Sequence, residues 1–403
     1  MLNSIKKMLS GNVLKIIIQS ILFLVLARFL GVEDFGLFSV CISVAGILCA
    51  FDALGTGTVL LKKISRNKCE FESKVATVML IHIVTALLLI FLYVFLMHFL
   101  FNGVTIVTVL KIAFSEIFLY SFILLLNQMY QSLGKFSLIV FNNISLSSIR
   151  LLSVFLIGWY LDFSFSIDQL SSVYLCATFL SFLASCFIFL TTMNFKLSFQ
   201  YQSIVDMITE GVHFSLSKLS AIGNSEADKA MLGQMKVASE VGVYSISHRI
   251  IGMVMVPVNT VFSVTMPKYF EYGEEGFLSN YRFSLTFVPY LLAYALICAV
   301  FIYFLAEYVV IILGDSYGGV AQALRYLALF PFIKIISTSF GDAIAGVGYQ
   351  AVKSKSQIVS LIINIILNII FIPLYSWKGA VFSLFISEFL LFMMYVVIIR
   401  KAI

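Results

Sequence analysis

Twelve ionisable side chains stand inside stretches otherwise dominated by Leu, Ile, Phe, Val and Ser. Six are basic (Arg28, Lys111, Arg150, Lys218, Arg249, Lys334) and six acidic (Asp52, Glu116, Glu226, Asp228, Asp342, Glu388). A charge at mid-bilayer costs at least about 2.5–3.5 kcal/mol on insertion scales, so such residues face a cavity or a partner and are functional candidates by default. Arg150, Lys218, Arg249 and Lys334 are the deepest bases. A guanidinium offers a fork of donors that matches phosphate oxygens, and an ammonium offers a point charge. Asp52, Glu116 and Asp342 are the acids positioned to take up and release a proton or sodium ion. For every one of them the alternative is an ion pair between helices, or a side chain that snorkels to the interface.

The elements that must position these residues are apolar runs separated by short polar breaks. The chain is 61% apolar and only 11% charged, so little remains for a separate soluble domain. Its 403 residues accommodate about a dozen spans of roughly 20 residues each. These fall near 11–30, 37–61, 75–100, 108–130, 138–160, 170–192, 207–231, 242–265, 283–305, 321–347, 357–373 and 379–399. The seventh and tenth are the most polar, with Lys218, Glu226, Asp228 and Lys229 in one and Lys334 and Asp342 in the other. Bases cluster after the even-numbered spans: Lys62, Lys63, Arg66, Lys68 and Lys74, then Lys135, Lys196, Lys268, Lys353, Lys355, Arg400 and Lys401. The opposite loops hold Lys236 and Lys378. The positive-inside rule therefore predicts both termini in the cytoplasm. The first span follows Lys6 and Lys7 but ends in Arg28-Phe-Leu-Gly-Val-Glu rather than a small-residue cleavage site, so it is expected to stay as a helix.

Other chemistries find little to use. Cys41, Cys49, Cys69, Cys176, Cys186 and Cys298 form no CxxC pair and read as apolar filling. His82, His98, His213 and His248 are isolated along the chain, which calls for no metal site. No GxxxxGK[ST] run is present, and no cofactor is called for. The net charge of +6 is scattered over loops as a topology signal, not gathered into a nucleic-acid patch. Gly55 and Gly57 beside Asp52 allow a close helix approach or local unwinding. Pro257, Pro289, Pro331 and Pro373 predict a more bent second half.

The chain also matches itself. Asp34-Phe-Gly-Leu-Phe-Ser-Val40 aligns with Glu240-Val-Gly-Val-Tyr-Ser-Ile246, each after a Leu-Gly and each opening the second helix of a six-helix half. The match predicts a division into 1–200 and 201–403, parallel repeats with a substrate site at their interface and access alternating by rocking.

At these same residues the chain resembles the polysaccharide repeat-unit flippases, the O-antigen exporters of the multidrug/oligosaccharidyl-lipid/polysaccharide exporter superfamily. The resemblance rests on Ala27-Arg-Phe-Leu-Gly-Val-Glu-Asp-Phe-Gly-Leu-Phe38, Phe51-Asp-Ala-Leu-Gly-Thr-Gly-Thr-Val-Leu60, Asp228-Lys-Ala-Met-Leu-Gly233, Val241-Gly-Val-Tyr-Ser245 with His248-Arg-Ile250, Met266-Pro-Lys268 and Leu313-Gly-Asp-Ser-Tyr317. It implies an all-α polytopic membrane protein of about twelve transmembrane helices in two six-helix lobes, a MATE-like fold. It also implies an undecaprenyl-diphosphate-linked oligosaccharide moved from the cytoplasmic to the periplasmic leaflet of the bacterial inner membrane. An O-antigen polymerase and a chain-length regulator would be partner proteins. Arg28 joins the candidate substrate contacts because the family tends to place bases at the outer end of the first helix. The rival within the superfamily is a drug or cation exporter, which needs an acid-dominated cavity where this chain has an even tally. A membrane glycan polymerase or transferase needs a large outer loop, and the longest expected here is only Ala306 to Val320.

Overall fold

The computed structural model describes residues 2–66, 71–101, 103–160, 166–193 and 201–402. Lys68, Cys69 and Lys196 lie outside these residues, as do the side chains of Lys6, Lys7, Lys62, Arg66, His213 and Lys401. All regular structure among the described residues is helical. Nine helices are long and apolar enough to cross a membrane, and a broken pair bent by 44° makes a tenth.

Twelve spans are expected; among the described residues nine to ten qualify, and the breaks account for part of the difference. Helix α1 (Leu2–Leu48) runs 47 residues, about 70 Å and more than twice a hydrocarbon core. It bends at Gly31, whose φ of 72° only glycine adopts cheaply, where the sequence separates its first two spans. The second of these spans is not continuous. A 3-10 segment, Cys49–Gly55, interrupts it, with Ala53 and Leu54 at φ 45° and 48°, before α2 (Thr56–Arg66) resumes. Next come α3 (Phe71–Leu100), α4 (Ile106–Ala113), a π-helical turn (Phe114–Tyr120) and α5 (Ser121–Ser132), then α6 (Phe136–Tyr160) and α7 (Ile167–Thr192). Ser166 and Gln169 close the start of α7 with a capping box. Helix α8 (Tyr201–Met235) is 35 residues long but carries six charged residues, and it is not among the nine.

The second half contains α9 (Ala238–Gly273), α10 (Phe277–Leu285), α11 (Val288–Leu313), α12 (Gly319–Leu327), α13 (Phe330–Gly346), α14 (Gln350–Tyr375) and α15 (Trp377–Ala402). Pro289 and Pro331 sit in the first turns of α11 and α13, so each proline restarts a helix after a break rather than kinking its middle. The first half is interrupted by other means: a glycine, an unwound turn and a π turn. The expected outer loop from Ala306 to Val320 is largely helix, because α11 continues to Leu313.

Contacts divide the chain into two compact units. One holds Met1–Leu30 with Leu37–Ala230, the other Gly31–Gly36 with Met231–Ile403. Helix α8 thus packs with the first unit. In the second, the repeated motif meets its own copy: a Cβ on Gly36 would overlap the Ala238 carbonyl, and one on Gly242 would overlap that of Val32. Each equivalent glycine lets the other's strip of helix approach, a reciprocal contact of the kind a local two-fold produces. Between apolar helices in lipid, packing and hydrogen bonds replace the hydrophobic drive, and the residue distribution follows that rule. Phe91, Phe99 and Trp159 point outward at 75%, 69% and 70% exposure, while Ser39, Ser43, Asn142, Ser181, Asn364 and Ser383 are buried.

Candidate functional site

Arg150, on α6, is reached from two other elements of the first unit, the π turn and α7. Its Nη2 lies 2.6 Å from Glu116 Oε1 and 2.8 Å from Thr178 Oγ1, Nε donates to the same threonine at 3.0 Å, and Nη1 donates to the Tyr174 hydroxyl at 2.5 Å. The guanidinium also lies 3.9 Å from the Tyr174 ring centroid. Glu116 is carried by the π turn, an irregularity that often marks functional sites. As a headgroup contact Arg150 would first have to leave four hydrogen bonds and an ion pair whose side chains are only 8% and 10% exposed. The geometry therefore gives it the role of a strut joining α6, α7 and the π turn, and it gives Glu116 a fixed cation.

Asp52 sits in the unwound Cys49–Gly55 segment, where Gly55 at φ 72° and Gly211 on α8 are in backbone contact. Both outcomes allowed by the glycines of this span, close approach and unwinding, therefore occur together. The partner of Asp52 is not an arginine but His82 on α3, whose Nδ1 is 2.6 Å from Oδ1. The Nε2 of His82 is 3.3 Å from the carbonyl oxygen of Phe118 in the π turn. His82 was invisible as a site residue because its partners lie 30 and 36 positions away, far outside any helical spacing.

Lys218 donates to the carbonyl of Cys49 at 3.0 Å, closing the unwound turn from α8. Arg28 is exposed near the end of the first arm of α1. Among the described residues neither base has a carboxylate within ion-pair distance. Lys111 donates to Ser172 at 2.8 Å. Glu226 accepts from Ser43 at 2.8 Å and pairs with Lys229, and Asp228 is buried.

In the second unit Lys334 lies 3.0 Å from Glu388, with side-chain exposures of 37% and 8%, and Glu388 also accepts from Ser337. Asp342 is 2.7 Å from Lys353. Arg249 is half-buried on α9.

Each unit also has an amide–hydroxyl cluster that charge-counting overlooks. In the first, Asn142 donates to Asn127 at 3.0 Å, Asn127 to Asn143 at 3.2 Å and Ser185 to Asn142 at 3.3 Å. In the second, Asn368 donates to Asn364 at 3.1 Å and Asn364 to Ser387 at 3.4 Å. The serines form Ser-x-x-x-Ser pairs, Ser181/Ser185 on α7 and Ser383/Ser387 on α15. This spacing on the last helix of each half was the available signal.

Residues 2–272 match the model of a family described as polysaccharide biosynthesis protein. The chain belongs to that family. No curated protein matches it. Among solved structures, an inward-facing multidrug resistance MATE family transporter of the MOP superfamily superposes with a TM-score of 0.74 at 16% identity, over 98% of this chain and 95% of that one. The lipid II flippase MurJ, in an inward closed conformation, gives 0.75 at 14% identity, over 97% and 86%. A MOP superfamily transporter from Pyrococcus furiosus gives 0.62 at 16%, over 99% and 96%. This family member is a multi-pass membrane protein with the fold those transporters share.

Proposed function

We propose that the chain is a flippase for lipid-linked oligosaccharides. It carries undecaprenyl-diphosphate-linked repeat units, of the O-antigen or a related polysaccharide, from the cytoplasmic to the periplasmic leaflet of the bacterial inner membrane. Access alternates between two lobes, 1–200 and 201–403, both termini are cytoplasmic, and movement is coupled to an ion gradient through the acidic groups. The observation that carries this reading is the family match over residues 2–272, in a chain whose fold is also that of a protein named lipid II flippase. In this reading Arg28, Lys218, Arg249 and Lys334 receive the diphosphate, and Arg150 keeps the surrounding helices in register. Both an ammonium and a guanidinium can pair with phosphate oxygens as the headgroup passes.

The test is transport of a fluorescent undecaprenyl-diphosphate sugar in proteoliposomes. Redistribution of the probe between leaflets, dependent on the protein and on an imposed ion gradient, is the expected result. A protein that leaves this probe in place but moves a cationic dye would instead be the drug or cation exporter.

A further inference from the structure

We infer that the buried Asp52–His82 pair is a proton-binding site, and that loss of its proton acts directly on the π turn through the carbonyl of Phe118. The inference rests on the flippase reading above and names its coupling ion.

The argument is one of donor and acceptor counting. His82 is fully buried, with Phe122 edge-on to its ring at 5.2 Å, and its two nitrogens face two oxygens: Asp52 Oδ1 at 2.6 Å and Phe118 O at 3.3 Å. A carbonyl oxygen only accepts, so the contact with Phe118 needs a proton on Nε2. A short contact between Nδ1 and a carboxyl oxygen needs a proton between them. Two arrangements satisfy both, an imidazolium beside a carboxylate or a neutral ring beside a carboxylic acid. They hold the same number of protons and the same net charge.

Removing one proton leaves a neutral ring beside a carboxylate, with a single N–H for two acceptors. If that N–H stays on Nδ1, the Nε2 lone pair faces the Phe118 carbonyl. If it moves to Nε2, the Nδ1 lone pair faces a carboxylate. Either way one link turns repulsive beside a fully buried ring, where an unpaired polar group costs most. Asp52 cannot lose this contact without moving the unwound turn, and Phe118 cannot lose it without moving the π turn that holds Glu116. Irregular backbone at membrane depth is tolerated where it is buried in protein or lines a cavity, and both ends of this link are irregular.

The groups around the pair support a proton more than a metal cation. On the unwound turn Cys49 is a thiol, and its carbonyl is already occupied by Lys218. On the π turn Glu116 is neutralised by Arg150 of α6. Among the described residues no second carboxylate contacts the pair to help hold sodium. His82 lies eight residues beyond Lys74, about 12 Å along α3 from its basic end.

The experiment uses the full chain in proteoliposomes and a fluorescent undecaprenyl-diphosphate-linked N-acetylhexosamine. A pH gradient is expected to shift the steady-state leaflet distribution of the probe at least tenfold in the wild type. In His82→Gln and Asp52→Asn the shift is expected to vanish. A wild type driven by sodium and indifferent to pH, or variants that still follow the pH gradient, would overturn the inference and leave the flippase reading standing. A wild type that never moves the probe removes the flippase reading itself. Because a buried pair can be needed for folding, a second measurement avoids touching it: 15N-histidine NMR of a chain lacking His98, His213 and His248. The 15N signals of His82 are expected to report loss of a proton from the pair as pH is raised, and a ring whose signals do not change with pH overturns the inference.

Discussion

Neutralising Glu116 tests whether Arg150 is a strut or a substrate contact. In Glu116→Gln the guanidinium keeps its hydroxyl partners but loses its only anion, at a site where both side chains are at most 10% exposed. At an effective dielectric of about 20 and a charge separation of about 4 Å the pair is worth roughly 4 kcal/mol. Removing one member of a buried pair typically costs about 3–5 kcal/mol, because the other remains charged and unpaired. For a cooperative unit of roughly 150–250 residues, each kcal/mol moves the thermal midpoint by about 2–4 °C, so the variant should melt about 6–20 °C lower. Arg150→Met should cost a similar amount. The double variant should recover most of the loss, giving a coupling energy of at least about 2 kcal/mol in the cycle. The assay is thermal unfolding of the purified chain in detergent, with flipping measured in parallel. A loss below about 1 kcal/mol with no coupling is what a solvated, screened pair gives. If that result came with abolished flipping, the strut argument would be refuted and Arg150 would return to the substrate contacts.

Lys334→Ala leaves Glu388, 8% exposed, without its base, so the thermal midpoint is expected to fall, though less than at the Glu116–Arg150 pair because the lysine itself is 37% exposed. The same variant should weaken the fluorescent diphosphate probe about tenfold to a hundredfold in equilibrium binding, the value of one charge-assisted contact. Two glycines with nearly the same φ separate conformation from space: Gly55 at 72° and Gly134 at 71°. A Cβ on Gly134 meets nothing within 4 Å, whereas one on Gly55 collides with the Gly211 carbonyl. Gly134→Ala should cost about 1 kcal/mol, and Gly55→Ala about 1–3 kcal/mol more, as unfolding midpoints would register.

Apolar period and length carried the fold, because a bilayer forces every segment into the same helical solution and leaves mainly breaks to be located. The breaks at Gly31, Pro289 and Pro331 were legible, since glycine and proline act locally. The Cys49–Gly55 unwinding was visible as a possibility around Gly55 and Gly57, but the π turn left no mark in Phe-Ser-Glu-Ile-Phe-Leu-Tyr. Both depend on contacts from other helices. The individual charges were easy to list and their partners were not. Glu116 and Arg150 are 34 positions apart, Lys334 and Glu388 54, so no spacing rule joins them. The same distance hid His82, whose role comes entirely from two oxygens on other elements.

How the charges are distributed bears on which substrate fits. The number of acids and bases inside the spans does not separate an anion carrier from a cation exporter, so their pairing is the more informative feature. Asp52 is held by His82, Glu116 by Arg150, Glu226 by Lys229, Asp342 by Lys353 and Glu388 by Lys334. A cation exporter needs a carboxylate that can exchange its partner for a drug, and each of these acids would have to give up a bonded base first. Arg28 and Lys218 meet no carboxylate among the described residues, and Lys334 keeps a third of its side chain open while paired. A phosphate arriving at such groups displaces little and gains full charge-assisted hydrogen bonds. Among the described residues Arg28 and Lys218 are thus bases that a phosphate could approach without displacing a carboxylate.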